Sequence, residues 1–346
     1  MHGAVGTRST TSSRLLDGRE IEEHWLTSSA DAEAVAAWRI FTFNWRLLAC
    51  MIGVVAAVLI ATEFYIEPLG YLLAFSLAAL YWRLGLQNVR STARRNLRIF
   101  FCLIAIAQMI LAFAVMLPLT YLTVSINLPL QDTALLAWDR ALGFDFRSYL
   151  DFIRSVPRLL SILAGSYNSF NVQMFAIVLI LPLAGCYRRS GTAICACVIA
   201  LIATTCLSAL VPAIGVYGAL GFEAPDFASI EPLGYYNTLR DVPLLRGGRL
   251  HGLDLPKLVG VLTFPSFHAA SAVLNMWAFW PLPWVRWAVV PLNIAMIAAT
   301  PVGGGHYFVD VVAGILTAAA AILAALSISG RLSAARSASG GMAAGL

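Results

Sequence analysis

The sequence predicts an all-α fold, a polytopic membrane helical bundle of about eight transmembrane helices. Three observations predict it. Of the 346 residues, 60% are apolar and only 12% charged, where a soluble domain carries roughly a quarter charged residues. Apolar stretches long enough to cross a bilayer, which takes about 20 residues, recur along the chain. The basic residues gather in the short segments between alternate stretches, as the positive-inside rule requires.

The elements follow in order. Residues 1–44 are polar and mixed in charge, with no apolar core near Met1 of the kind a secretory signal carries. They form a cytoplasmic tail whose last part, 29–44, has the composition of an amphipathic helix lying on the membrane surface. Spans are expected near 46–64, 68–84, 99–123, 167–187, 191–212, 262–280, 284–302 and 306–328. The first two make an extra hairpin, which with a basic loop occupies 45–98; the core is 99–328 and a second cytoplasmic tail is 329–346. Small residues from 333 onward have the composition of a structureless end.

Charge orients the bundle. With the amino terminus inside, the cytoplasmic segments hold 15 basic and 6 acidic residues, and the outer segments 8 and 12. The balance is +9 inside against −4 outside, so both termini are expected in the cytoplasm. Twenty-two of the 23 basic residues are Arg, and they form no basic face interleaved with aromatics, which excludes nucleic acid as a partner. The six cysteines lie in or beside apolar runs and read as small packing residues. A bacterial inner membrane fits the Arg-rich, Lys-poor composition.

Two outer connections are too long to be turns. Residues 124–166 contain LQDTALLAWDRALGFDFRSYLDFI, whose apolar spacing predicts one or two helices along the interface. Residues 213–261 are rich in Gly and Pro and carry Arg240, Arg246, Arg249, His251 and Lys257. Loops of this length in compact domains are commonly functional.

Chemistry concentrates at the same outer rim. His268 stands at the start of the sixth expected span, in Phe264-Pro265-Ser266-Phe267-His268; His306 stands at the start of the eighth, after Gly303, Gly304 and Gly305. Asp310 lies four residues beyond His306, on the same helical face. An acid in a spanning segment is costly and marks a functional candidate. It would fix the imidazole tautomer and stabilise the cation formed on attack, leaving His306 a nucleophile suited to phosphorus. Pro265 suits a first helical turn, so Ser266 and its neighbours, together with the glycine N–H groups, offer helix amino termini that attract anions. Arg246 and Arg249 either clamp nonbridging oxygens or are solvated loop charges. Asn168, Asn171 and Gln173 suit interhelical hydrogen bonds.

These motifs resemble a known family. Pro265-Ser266-x-His268 is similar to the second signature of the type 2 phosphatidic acid phosphatase (PAP2) superfamily, and His306-x-x-x-Asp310 to the end of its third. FPSFHAA, GGHYFVD and ALLAWDRALGFD resemble the branch containing inositol-phosphorylceramide synthases, the likeness covering about 120–328. The resemblance implies a six-helix core and a lipid phosphatase or phosphotransferase working through a phosphohistidine at the outer face. It implies His306 as nucleophile, Asp310 orienting it, His268 as acid then base, and Ser266 contacting phosphate; Gly304 and Gly305 join the phosphate-binding set through their N–H groups. Its substrates would be a lipid phosphate and an alcohol acceptor. No cofactor or metal is expected. The family's Ser-Arg pair is replaced by Ala299-Thr300, and its first signature, a Lys and an Arg-Pro, has no clear match. The competing expectation from residue types alone is a transporter with an Asp/His proton relay.

Overall fold

The computed structural model describes residues 32–90, 96–223, 226 and 230–343. Among them the chain is an all-α membrane bundle whose strands amount to two residue pairs. Six helices are long and apolar enough to cross a bilayer unbroken: α1 (Ala32–Ala61), α2 (Pro68–Arg90), α3 (Leu97–Ser125), α8 (Tyr187–Leu210), α12 (Pro283–Gly304) and α13 (Phe308–Ala343).

The two remaining expected spans are built differently. Residues 167–187 fall across α6 (Pro157–Asn168) and α7 (Phe170–Leu183), which bend by 51° at Ser169 and only together are long and apolar enough to cross a bilayer. The span expected at 262–280 is α11 (Phe267–Phe279), a helix of 13 residues. At 1.5 Å per residue it rises about 20 Å, short of the ~30 Å hydrocarbon core. The non-helical stretch before it, from Leu258 to Ser266, is mostly buried within the bundle.

Several expectations are corrected at the ends of elements. Residues 32–44 do not lie on a surface; they are the first part of α1, with Ala37, Ile40 and Phe41 fully buried. Residues 29–31 lie outside the described residues. The apolar side of 32–44 packs on α8 and α3 rather than on lipid, and Asn44 is tied there by bonds to Gln108 Oε1 (3.2 Å) and the Gly191 carbonyl (2.9 Å). The carboxyl end continues as helix to Ala343, in keeping with its alanines.

The 124–166 connection forms three helices: α4 (Asp132–Ala141), α5 (Phe146–Ser155) and the start of α6. Asp145 caps α5 through the N–H groups of Arg147 and Ser148, as an Asp at that position should. The 213–261 connection contributes a short turn of helix, α9 (Val216–Ala219), and α10 (Leu233–Arg246). Tyr65–Ile66 pairs in parallel with Gly252–Leu253, joining this connection to the α1–α2 turn. A second hydrophobic cluster, including Leu135, Phe146, Leu150, Tyr167, Tyr217, Tyr235 and Tyr307, packs these short helices over one end of the bundle. That end carries both histidines of interest.

Candidate active site

His306 sits between two helices, and the local chain explains its position. Helix α12 ends at Gly304, and Gly305 closes it with φ +67°, a left-handed conformation open to glycine. The Gly305 carbonyl accepts the Val216 N–H at 2.8 Å, so the turn is fastened to the loop that caps the bundle. Helix α13 begins two residues after His306. Its first N–H groups are not free for an anion, contrary to the sequence expectation: Phe308 N–H donates to Asp139 Oδ2 (2.9 Å) and Val309 N–H to Asp139 Oδ1 (2.8 Å). The glycines belong to the preceding helix end, which presents carbonyls rather than N–H groups.

Asp310 and His306 meet as expected. Asp310 Oδ2 lies 3.3 Å from His306 Nδ1 and accepts the Tyr307 N–H at 2.9 Å. Both side chains are buried, Asp310 completely, and Asp310 Oδ1 has no partner among the described residues. With Nδ1 engaged by the carboxylate, Nε2 is the nitrogen left for chemistry.

His268 is in the first turn of α11, whose cap is Ser266. Pro265 precedes the cap and so stands outside the first turn. Ser266 is completely buried, its Oγ accepting the Ala269 N–H at 3.4 Å and its N–H donating to the Asp310 carbonyl at 3.0 Å. That last bond couples the two histidine-bearing elements directly. The His268 ring is stacked on Tyr167, centroids 4.0 Å apart and planes 10° apart, and rests against Phe170 at 4.8 Å.

His268 and His306 line one cavity of about 310 Å³. Phe113, Met116, Leu117 and Leu201 give it an apolar wall from α3 and α8; Thr120, Asn168, Asn171, Asn237 and Thr238 supply neutral polar groups. Asn168 and Asn171 therefore face the cavity. Of the three amide side chains read as interhelical ties, Gln173 makes that tie, its Oε1 accepting from Asn293 (2.6 Å) and Asn275 (3.3 Å).

Of the expected phosphate-binding set, Gly304 lines the cavity; Gly305, Ser266, Arg246 and Arg249 are not among the lining residues. Arg246 donates to the Leu128 carbonyl at 3.0 Å and Arg249 is exposed. Arg246 is the last residue of α10 and Arg249 lies just beyond it; the helix is tied down by Asp241, whose carboxylate accepts from Tyr121 (2.5 Å) and from Arg240 (2.6 and 2.8 Å).

Sequence reasoning missed the acids of α4. Asp132 accepts the N–H groups of Ile214 (3.0 Å) and Gly215 (2.9 Å) and the Tyr307 hydroxyl (2.9 Å). Asp139 is 1% exposed; burial pushes its carboxyl above the usual carboxylate range, and the Val309 and Phe308 N–H groups offset only part of that. For Asp139 a signal was present in LLAWDRA, which sets an acid four residues after Leu135, on the helical face that is buried. Tyr167 was missed as well, since nothing local distinguishes it from a packing aromatic.

A family model described as the PAP2 superfamily matches residues 133–324. The chain belongs to the PAP2 superfamily. It is thereby an integral membrane protein of a phosphatase and phosphotransferase family acting on lipid phosphates, and nothing found supports the transporter expectation. No curated protein and no solved structure matches the chain. The matched region contains both histidines, Asp310, α4 from its second residue and the helices from α5 to α12; the α3 wall of the cavity lies outside it.

Proposed function

We propose that this PAP2-superfamily protein is a lipid phosphotransferase of the inositol-phosphorylceramide synthase-like kind, acting through a phosphohistidine on His306 at the extracytoplasmic face. In the first step the lone pair of His306 Nε2 attacks phosphorus. The bond from phosphorus to the leaving oxygen breaks, and His268 delivers a proton to that oxygen. Asp310 stabilises the imidazolium through Nδ1. In the second step an acceptor hydroxyl gives its proton to His268 and its oxygen attacks phosphorus. The P–N bond breaks and its electron pair returns to the imidazole.

The observation that carries this reading is the His306–Asp310 pair at 3.3 Å, opening with His268 onto one cavity. Transfer to an alcohol, rather than hydrolysis, is supported by the way Tyr167 and Phe170 cover His268 and by the amide-lined wall beside it, which offers hydroxyl groups both donors and acceptors. The face follows from the arginine distribution.

Mass spectrometry of products from detergent-purified protein tests this, with phosphatidylinositol as donor and, as acceptor, ceramide or a diacylglycerol whose acyl chains differ from the donor's. A headgroup-transfer product is expected. Release of inorganic phosphate from phosphatidic acid without any transfer product would make the protein a hydrolase instead.

A further inference from the structure

The cavity poses a charge problem. A phosphoryl group in flight carries negative charge on its nonbridging oxygens, and enzymes of this chemistry meet it with fixed cations or donors. Among the described residues that line the cavity there is no Lys or Arg. The arginines that sequence reasoning put forward stay at the far end of α10 or just beyond it. Apart from His268, the donors that line the cavity are neutral, and one of them stands beside His306 Nε2.

That group is Tyr167. A Cβ built on Gly304 would lie 2.8 Å from the Tyr167 hydroxyl oxygen and 2.9 Å from His306 Nε2. The phenol oxygen and the nucleophilic nitrogen thus both pack against Gly304, with no side chain to hold them apart. The Tyr167 ring is fixed on three sides. It is stacked flat on His268, a Cβ on Gly303 would come within 2.9 Å of it, and a Cβ on Gly234 would come within 2.3 Å of its hydroxyl. A side chain so confined holds its hydroxyl at one place, which is what an electrostatic donor requires.

We propose that Tyr167 is a catalytic residue, whose phenol O–H donates a hydrogen bond to a nonbridging oxygen of the phosphoryl group while it is bonded to His306 Nε2. The proton stays on Tyr167 throughout. The P–N bond forms and breaks as described above, and His268 alone exchanges a proton with the leaving and entering oxygens. This rests on the His306 nucleophile but is separable from it. It also accounts for the missing Ser-Arg pair at Ala299-Thr300: Thr300 is completely buried and bonded to the Met296 carbonyl, so the donor comes from α6 instead.

The test is Tyr167→Phe, which keeps the stacked ring and removes the hydroxyl. Turnover of phosphatidylinositol with ceramide is measured beside wild type and His306→Ala. Loss of one such donor costs roughly 10²- to 10³-fold in kcat, and that loss is expected with KM nearly unchanged. Binding of orthovanadate by calorimetry supplies a readout independent of the lipid, and Tyr167→Phe is expected to bind at least about tenfold more weakly than wild type, the equivalent of 1.4 kcal/mol. Wild-type kcat in Tyr167→Phe, equal vanadate affinity in the two proteins, or no vanadate binding by wild type overturns the proposal. If wild type and His306→Ala are alike on every lipid, the nucleophile is wrong, and the vanadate comparison still decides Tyr167. Should Tyr167→Phe fail to fold, 3,5-difluorotyrosine at position 167 replaces it. A shifted limb of the pH–rate profile is then expected, and an unshifted profile removes the hydroxyl from the reaction.

Discussion

Asp139 Oδ1 accepts the backbone N–H of Val309 at 2.8 Å, across 170 residues of sequence. Its other oxygen takes the neighbouring N–H of Phe308, so a side chain of α4 is the cap of α13. A helix amino terminus leaves its first N–H groups without intrahelical partners, and a carboxylate there also opposes the positive end of the helix dipole. Asp132, one helix end away, binds the Tyr307 hydroxyl. Between them these two acids of α4 fix the residues that follow His306.

Asp139→Ala should therefore damage more than a local cap. Two N–H groups lose charge-assisted bonds inside a buried site, at a cost of about 2–4 kcal/mol. Asp139→Asn keeps one acceptor oxygen and sheds the burial cost of the charge, so its loss should be about half as large. Thermal unfolding of the purified proteins measures both. Activity should fall in the same order, and an alanine variant as stable and active as wild type would remove Asp139 from any positioning role.

A pH dependence follows from Asp241. Burial alone would raise its carboxyl, but the bonds from Arg240 and Tyr121 outweigh burial and hold it below the usual carboxylate range. A depressed native value means that the unfolded state binds the proton more tightly. The stabilisation is then complete above an ordinary aspartate pKa of about 4 and is lost as pH falls through the lower native value. Since Tyr121 belongs to α3 and Asp241 to α10, acid should loosen α10 from the bundle. Unfolding temperature plotted against pH should flatten on its acid side in Asp241→Asn; an unchanged acid limb would assign the loss to other carboxylates.

Asp310→Asn separates orientation from nucleophilicity. The amide preserves shape and still meets the Tyr307 N–H through its oxygen, but it no longer stabilises a positive imidazole. With His306 as nucleophile, kcat should drop by roughly 10³- to 10⁴-fold, and His306→Ala by at least as much. The double variant should be no worse than His306→Ala, because the two residues act as a unit. Additive losses in the double variant would mean that Asp310 works elsewhere.

What the sequence made legible was set by the range of each interaction. Hydropathy is local, and six spans came through as continuous helices. The histidine–acid spacing is also local, since four residues on one turn put Asp310 beside His306. Helix α11 was overestimated because apolar residues before Ser266 read as more helix, whereas Pro265 and the Ser266 cap delay its start to Phe267. The glycines were assigned to the wrong end of a helix for a similar reason. Their role depends on φ at Gly305, which composition does not carry. Least visible were Asp139 and Tyr167. Both act on residues more than 100 positions away, and a periodic pattern says only that such residues are helical and amphipathic.

The glycines supply a last contrast, because two adjacent ones should fail in different ways. At Gly304 a methyl group would stand 2.4 Å from the His306 ring and would fill the space between Nε2 and the Tyr167 hydroxyl. Its φ is helical, so Gly304→Ala should cost little in backbone strain while displacing His306. A misplacement of about 1 Å can cost 10²-fold in rate. At Gly305 the left-handed φ itself penalises any side chain by about 1–2 kcal/mol, and a Cβ would also press within 2.6 Å of Tyr235. Gly305→Ala should thus lower the unfolding temperature and, through the lost turn, activity as well. Gly304→Ala should also lower the unfolding temperature, since it overpacks the buried His306 and Tyr167 rings at a cost of about 1–3 kcal/mol, but its loss of activity should exceed what that destabilisation explains. Measuring both quantities on both variants checks the assignment, and a Gly304→Ala protein with wild-type turnover would mean that the space beside His306 is not where the phosphoryl group goes.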